Sequence, residues 1–138
     1  MDDVVVDASV FVSRLLRTDP NHSVTCAWFE SRDRADGLLV VPALMPPEVA
    51  GAIGRRIRDS RVTRRAVEKL LRIPALRVVA VDRALSGRAM TLAAELRLRG
   101  ADAIYVAVAQ RLELPLVTWD REQHDRSGQT ISARRPTV

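Results

Sequence analysis

Four acidic residues occupy positions where chemistry is plausible on spacing alone. Asp7 closes the valine run Val4–Val6, and Asp120 follows Leu116-Val117-Thr118-Trp119 in the same manner. Glu48 falls in the first turn of a helix that Pro46-Pro47 can open, and Asp102 starts an otherwise apolar stretch after Gly100-Ala101. Each stands at a strand end or a helix start. Three of the four have no basic neighbour in sequence; Arg121 follows Asp120. Taken singly, each has a purely structural reading. Asp7, Asp102 and Asp120 can cap the helices that follow them, and a glutamate in a first turn favours the helix dipole. Taken together in one half-buried place, the four would repel one another unless protons or a cation neutralised them. An all-oxygen ligand set suits a hard dication, Mg²⁺ or Mn²⁺, with Mg–O distances of roughly 2.0–2.1 Å. Such an ion lowers the pKa of its bound water and offsets phosphate charge, which is the chemistry of phosphodiester hydrolysis.

The elements that would bring these acids together are short apolar runs alternating with helical patterns. The runs are Val4–Val6, Leu38–Val41, Val78–Val81 and Leu114–Val117, with a weaker fifth at Gln129–Ser132. They are continuously apolar, as expected of strands buried on both faces of a parallel sheet. Between them, Asp19-Pro20 predicts a helix to about Ser31, and Pro46-Pro47 another to about Arg58. Thr63–Ile73 carries an amphipathic stripe. Asp82 can cap a helix bearing Leu85, Ala89, Leu92, Ala93 and Leu96, and Ala101–Leu112 is apolar enough to be a buried helix. Alternation of this kind implies an α/β fold. In open parallel sheets, function collects beyond the carboxyl ends of the strands, where Asp7 and Asp120 fall.

Composition sets the outer limits. The chain has 138 residues, 47% hydrophobic and 28% charged, enough for one domain spanning 1–138 and too few for two ordinary ones. No internal repeat or linker divides it. Its 22 basic residues exceed its 17 acidic ones for a net charge of +5, and Lys69 is the sole lysine among them. That arginine skew has two readings, a polyanionic partner or the codon bias of a G+C-rich genome. Cys26 alone cannot make an internal disulfide or a cysteine-rich zinc site, and His22 and His124 do not make a histidine-rich one. The opening Met1-Asp2-Asp3 is acidic where a secretory signal is basic. The longest apolar stretch, Leu38–Pro47, is interrupted by prolines and too short to cross a membrane. The expectation is a soluble, cytoplasmic protein with no membrane contact.

At the residues singled out above, the sequence resembles a PIN-domain ribonuclease, specifically the VapC-type toxins of bacterial toxin–antitoxin pairs. Val4-Val5-Val6-Asp7-Ala8-Ser9 is similar to that family's hydrophobic strand followed by Asp-x-Ser/Thr. Pro47-Glu48-Val49-Ala50 resembles its second acid, and Asp102-Ala103-Ile104-Tyr105-Val106-Ala107 its third, on an alanine-rich helix. Thr118-Trp119-Asp120 resembles its Thr-x-Asp. One departure is Gln123, at a position where members often carry an aromatic residue; Asp125 lies nearby. The resemblance implies a PIN-like domain with a five-stranded parallel sheet flanked by helices, and Mg²⁺-dependent endonucleolytic cleavage of RNA (Mn²⁺ being an alternative ion). It implies a homodimer and a cognate VapB-like antitoxin. It assigns Asp7, Glu48, Asp102 and Asp120 to catalysis and metal holding, with Ser9 and Thr118 as supporting hydroxyls. Whether Asp125 joins Asp120 stays open.

Other residues carry two readings each. Arg55, Arg56, Arg58, Arg61, Arg64 and Arg65 crowd the region after Glu48, as a solvated face or as a guide for phosphates; Arg97 and Arg99 are similar. Trp119 is expected in the core or its rim, with base stacking as the alternative. Trp28 and Phe29 read as core or dimer contacts, and Cys26 as a small buried hydrophobe. Two other functional classes compete. A receiver-like signalling domain also has acids at strand ends but needs a lysine beyond a late strand, whereas Lys69 sits mid-helix. A non-catalytic PIN-like RNA-binding module would be expected to have lost one of the four acids.

Overall fold

Val4, Val5 and Val6 are all buried, so β1 (Val4–Val6) needs cover on both faces, and it lies in the middle of the sheet. The computed structural model describes residues 2–34 and 36–138. In chain order the elements are β1, α1 (Ala8–Leu15), α2 (His22–Asp33), β2 (Leu39–Pro42), α3 (Met45–Ile57) and α4 (Ser60–Leu71). There follow β3 (Leu76–Val79), α5 (Arg83–Leu96), α6 (Gly100–Leu112), β4 (Leu116–Val117), α7 (Arg121–Ser127) and β5 (Ala133–Arg134). The five strands form one sheet in the order β3-β2-β1-β4-β5, and every pairing is parallel. This is the α/β architecture expected from the alternating pattern.

The order of the strands decides where a site can form. The chain builds outward from β1 to β2 and β3, then returns to the other side of β1 to place β4 and β5. Helices leaving adjacent strands diverge at that reversal, and a crevice opens beyond the carboxyl ends of β1 and β4. Register holds the two ends level: Val5 pairs with Leu116 and Val6 with Val117. Asp7 and Thr118 are therefore the next residues on the two strands. The core behind the crevice is supplied by α6, where Ala103 and Tyr105 to Ala109 are all buried and contact β1, β2 and β4.

Several boundaries differ from expectation. The third strand lies at Leu76–Val79 and not at Val78–Val81, because Leu76 pairs opposite Leu39. As an edge strand it buries only Leu76 and leaves Arg77 and Val78 exposed, so the expectation of two buried faces fails there. The fifth strand is Ala133–Arg134 and not Gln129–Ser132. The preceding residues are spent turning the chain out of α7, with Thr130 N–H and Ile131 N–H both donating to Ser127 O. Leu114 belongs to the exit from α6, its N–H donating to Ala109 O at 3.0 Å, which shortens β4 to two residues. Asp59 caps α4, which starts at Ser60, three residues before the expected Thr63, and accepts from Arg61 N–H at 3.1 Å and Val62 N–H at 3.2 Å. Asp82 caps α5 as expected, accepting from Leu85 N–H at 2.8 Å.

Candidate active site

Asp7 leaves β1 and caps α1 at once, its Oδ2 accepting from Ser9 N–H at 2.9 Å. It is only 4% exposed. Burial pushes its carboxyl above the usual range; the hydrogen bonds from Ser9 and Gln123 oppose that, and the charge of Asp120 adds to it. Asp120 caps α7 in the same way, its Oδ1 accepting from Gln123 N–H at 2.8 Å. The capping reading of these two acids is thus correct, and it does not exclude a second role: a cap fixes the carboxylate at the mouth of the crevice. The two strand ends are knitted together by hydroxyls. Ser9 Oγ accepts from Trp119 N–H at 3.0 Å and lies 3.4 Å from Thr118 Oγ1, which accepts from Asp120 N–H at 3.0 Å.

Glu48 and Asp102 do not cap. Neither Leu44 nor Arg99, the cap residues of α3 and α6, makes a side-chain cap bond, and each acid sits inside its helix in the first turn. Glu48 Oε1 accepts from Tyr105 OH at 2.7 Å. Its carboxyl is raised chiefly by burial and further by Asp7, against the Tyr105 bond. Asp102 is pushed up to about 6, first by burial, then by the charges of Asp7 and Asp120, with Glu48 adding and Arg99 opposing. Asp102 therefore feels the other three acids across the crevice, and the charge of Asp7 also reaches Glu48. Among the described residues none of the four is in an ion pair.

Two residues of the site were not assigned roles on sequence. Tyr105 is fully buried and holds Glu48; the signal was its place three residues after Asp102, on the same side of α6. Burial and the charges of Asp7 and Glu48 raise its phenol well above the usual range, so it serves as a donor. Gln123 is also fully buried, and its Nε2 donates to both Asp7 Oδ1 and the Asp102 carbonyl, each at 3.1 Å. Asp120-Arg121-Glu122-Gln123 has capping-box spacing, in which the glutamine would reach back to the cap N–H. Here Thr118 Oγ1 already takes the Asp120 N–H, so the Gln123 amide is free to span Asp7 and Asp102. Its Oε1 is buried without a partner.

Asp125, left open above, stands apart. Its side chain is exposed and accepts from His124 Nδ1 at 3.0 Å, with its carboxyl held low by that bond and by the charges of His124, Arg135 and Arg121. Trp119 donates from Nε1 to Thr25 Oγ1 at 2.8 Å, a framework role. Trp28 and Phe29 are buried in the core. Cys26 is half-buried beside His22 and not a core residue.

The PIN domain family model matches residues 4–128. The chain belongs to the PIN domain family. Among curated proteins none matches the sequence. Solved structures share the fold. VapC20 of Mycobacterium tuberculosis, a sarcin-ricin loop cleaving toxin, superposes with a TM-score of 0.77 at 16% identity, covering 94% of this chain and 96% of that one. PAE2754 of Pyrobaculum aerophilum gives 0.68 at 25% identity, covering 95% and 90%. VapBC2 of Rickettsia felis, bound to a DNA fragment from its promoter, gives 0.73 at 10% identity, covering 96% and 97%. Membership in the PIN family sets aside the receiver-like alternative; Lys69 lines a cavity with Leu15, Phe29 and Ile73 and none of the four acids. Among the described residues no helix is long and apolar enough to cross a membrane.

Proposed function

We propose that this PIN domain is a divalent-metal-dependent endoribonuclease, the toxin of a type II toxin–antitoxin pair. The observation that carries the reading is the convergence of Asp7, Glu48, Asp102 and Asp120 at the strand-order reversal, with none of them in an ion pair among the described residues. An all-oxygen set in which burial and neighbouring carboxylates raise Asp7, Glu48 and Asp102 fits a hard dication. Among the described residues no three Asp, Glu, His or Cys side chains close around one point, so what converges is charge and not a finished coordination shell. That suits Mg²⁺ or Mn²⁺, since Mg²⁺ keeps several waters and needs only one or two carboxylates. Asp7, Glu48, Asp102 and Asp120 would hold it. When bound, such an ion neutralises charge at a phosphodiester and lowers the pKa of a water molecule beside it.

The chain's own residues do the positioning. Ser9 N–H and Gln123 Nε2 fix the two oxygens of Asp7, and Tyr105 OH fixes Glu48. Thr118 and Ser9 hold the β1 and β4 ends level, so that Asp120 faces the crevice that Asp7 lines. We extend the reading to residues 1–138 as one unit because β5, beyond the matched segment, pairs with β4. A homodimer, a VapB-like antitoxin and a cytoplasmic location are part of the same proposal. It draws support from neighbours of this fold that are toxin or toxin–antitoxin structures.

Incubation of total RNA with the protein in Mg²⁺ or Mn²⁺ tests this directly. We expect discrete cleavage that EDTA abolishes and that Asp7→Asn reduces to background. Equal activity of the Asn variant would remove Asp7 from the site. No cleavage with either ion would leave the non-catalytic RNA-binding module as the better reading.

A further inference from the structure

Six arginines crowd the helical hairpin that starts at the site. Arg55 and Arg56 lie in the last turn of α3, Arg58 caps that helix, and Arg61, Arg64 and Arg65 lie in the first turns of α4. All six are exposed. Among the described residues only Arg64 has an ion-pair partner, Glu68 at 3.6 Å, and an exposed pair of this kind contributes little. The carboxylate inside the cluster, Asp59, is engaged in capping α4. The fold makes no use of the guanidiniums: the hairpin is held by Met45, Val49 and Ile53 on α3 and Thr63, Val67 and Leu70 on α4. Crowding like charges on a helical turn costs stability and brings no packing in return.

Position distinguishes this cluster from an ordinary solvated face. Glu48 and Arg55 are seven residues apart, so they share one side of α3 and stand roughly 10 Å apart along its axis. Between them on that side is Gly51, which has no side chain. The Arg55 guanidinium leans back over it: a Cβ at Gly51 would lie 3.6 Å from Arg55 Nη1. A strip of helix with nothing larger than Ala52 thus runs from a site carboxylate to a guanidinium, and Arg58 caps the helix roughly 15 Å along the axis from Glu48. A guanidinium fork matches phosphate oxygens in two-point contact.

We propose that the α3–α4 turn, through Arg55, Arg58 and Arg61, grips backbone phosphates of the RNA substrate a few nucleotides from the bond to be cut. The proposal rests on the ribonuclease reading and adds a demand to it: the substrate is a polynucleotide that extends along α3. A short fragment ends before it reaches the turn.

The test is fluorescence anisotropy of an end-labelled, mixed-sequence single-stranded RNA in EDTA, where cleavage is absent. The wild type is compared with the triple variant Arg55→Gln/Arg58→Gln/Arg61→Gln and with the matching triple Lys variant. We expect the Gln triple to bind about tenfold more weakly, with the slope of log affinity against log salt reduced in magnitude by about 2. The Lys triple should keep the slope and the wild-type thermal midpoint, and the Gln triple should melt no lower than wild type. In Mg²⁺, KM for a long RNA should rise in the Gln triple at unchanged kcat, with no difference on a dinucleotide. Arg-dependent binding without cleavage in any ion would sink the nuclease reading and leave the phosphate grip standing. Unchanged RNA affinity and salt slope would overturn the grip. So would a Gln triple that keeps RNA but loses poly-L-glutamate, since the surface would then belong to an acidic protein.

Discussion

The Asp7 carboxylate is held from two sides, by Ser9 N–H on one oxygen and by the Gln123 amide on the other. Only the second hold comes from far away in sequence, and it is the one a substitution can remove cleanly. Gln123→Leu is nearly isosteric but leaves Asp7 Oδ1 and the Asp102 carbonyl without their buried donor, a loss of about 1–3 kcal/mol. Urea unfolding should show a loss in that range, and, under the proposed function, cleavage should fall in kcat with KM little changed, because the acid that moves would face the reacting phosphate. Asp102 offers a test by pH. Its carboxyl sits at about 6 in the folded chain against an ordinary 3.8, so the folded state holds that proton more tightly than the unfolded one. Its contribution to stability in EDTA is therefore present at low pH and is lost as pH rises from about 4 to about 6. The stability difference between wild type and Asp102→Asn, measured by urea unfolding, should become less favourable to wild type across that window. A flat difference would mean that Asp102 is as solvated as a free carboxylate.

Among the elements, three helices end on a residue other than glycine in the left-handed region: Arg58 at φ 59°, Arg97 at φ 55° and Glu113 at φ 54°. Each gives its N–H to a carbonyl of the preceding turn, so the bond is made and the strain is local. Glycine relieves such strain. Glu113→Gly, at the opposite end of α6 from Asp102, should stabilise the fold by about 1 kcal/mol, read as a higher urea midpoint with an unchanged m-value. That α6 tolerates Glu113 there while presenting Asp102 in its first turn shows how the two ends of one helix are constrained differently. The first turn must place a charge at the crevice, and the last must only stop. The α6 interior is fixed between them by burial of Tyr105 to Ala109.

For the whole molecule, the relevant quantity is the division of charge. A net charge of +5 is mild, yet four of the 17 acids are gathered at one crevice while arginines cover the hairpin beside it. Under the proposed function a dication in the crevice would bind the folded chain alone and stabilise it by mass action, by about 2.7 kcal/mol at a concentration a hundred times its dissociation constant. Mg²⁺ should therefore raise the thermal midpoint of wild type more than that of Asp102→Asn. The effect should be small at pH 5 and larger at pH 7, since the ion competes with the proton that Asp102 holds up to about 6. Equal shifts in the two proteins would show that Asp102 has no part in holding the ion.

The sequence by itself determined the order of elements and the positions of the four acids along them. A buried parallel strand such as Val4–Val6 and a helix such as Ala101–Leu112 declare themselves by apolar content, and Asp82 by its place before a helix. That information is local, because burial on both faces is written in consecutive residues. Edges were less legible: Leu76–Val79 carries an arginine and half its faces are wet, and Ala133–Arg134 has no apolar run at all. Their pairing comes from the neighbouring strand. The tertiary structure alone decided what the acids do to one another. Asp7 and Asp120 meet because the chain returns past β1 to lay down β4, and the raised proton affinity of Asp7 exists only once the crevice closes around it. Gln123, Tyr105 and the exclusion of Asp125 belong to the same class. A hydrogen bond between residues 116 positions apart leaves no periodicity to read, since it follows from where the fold brings their side chains together.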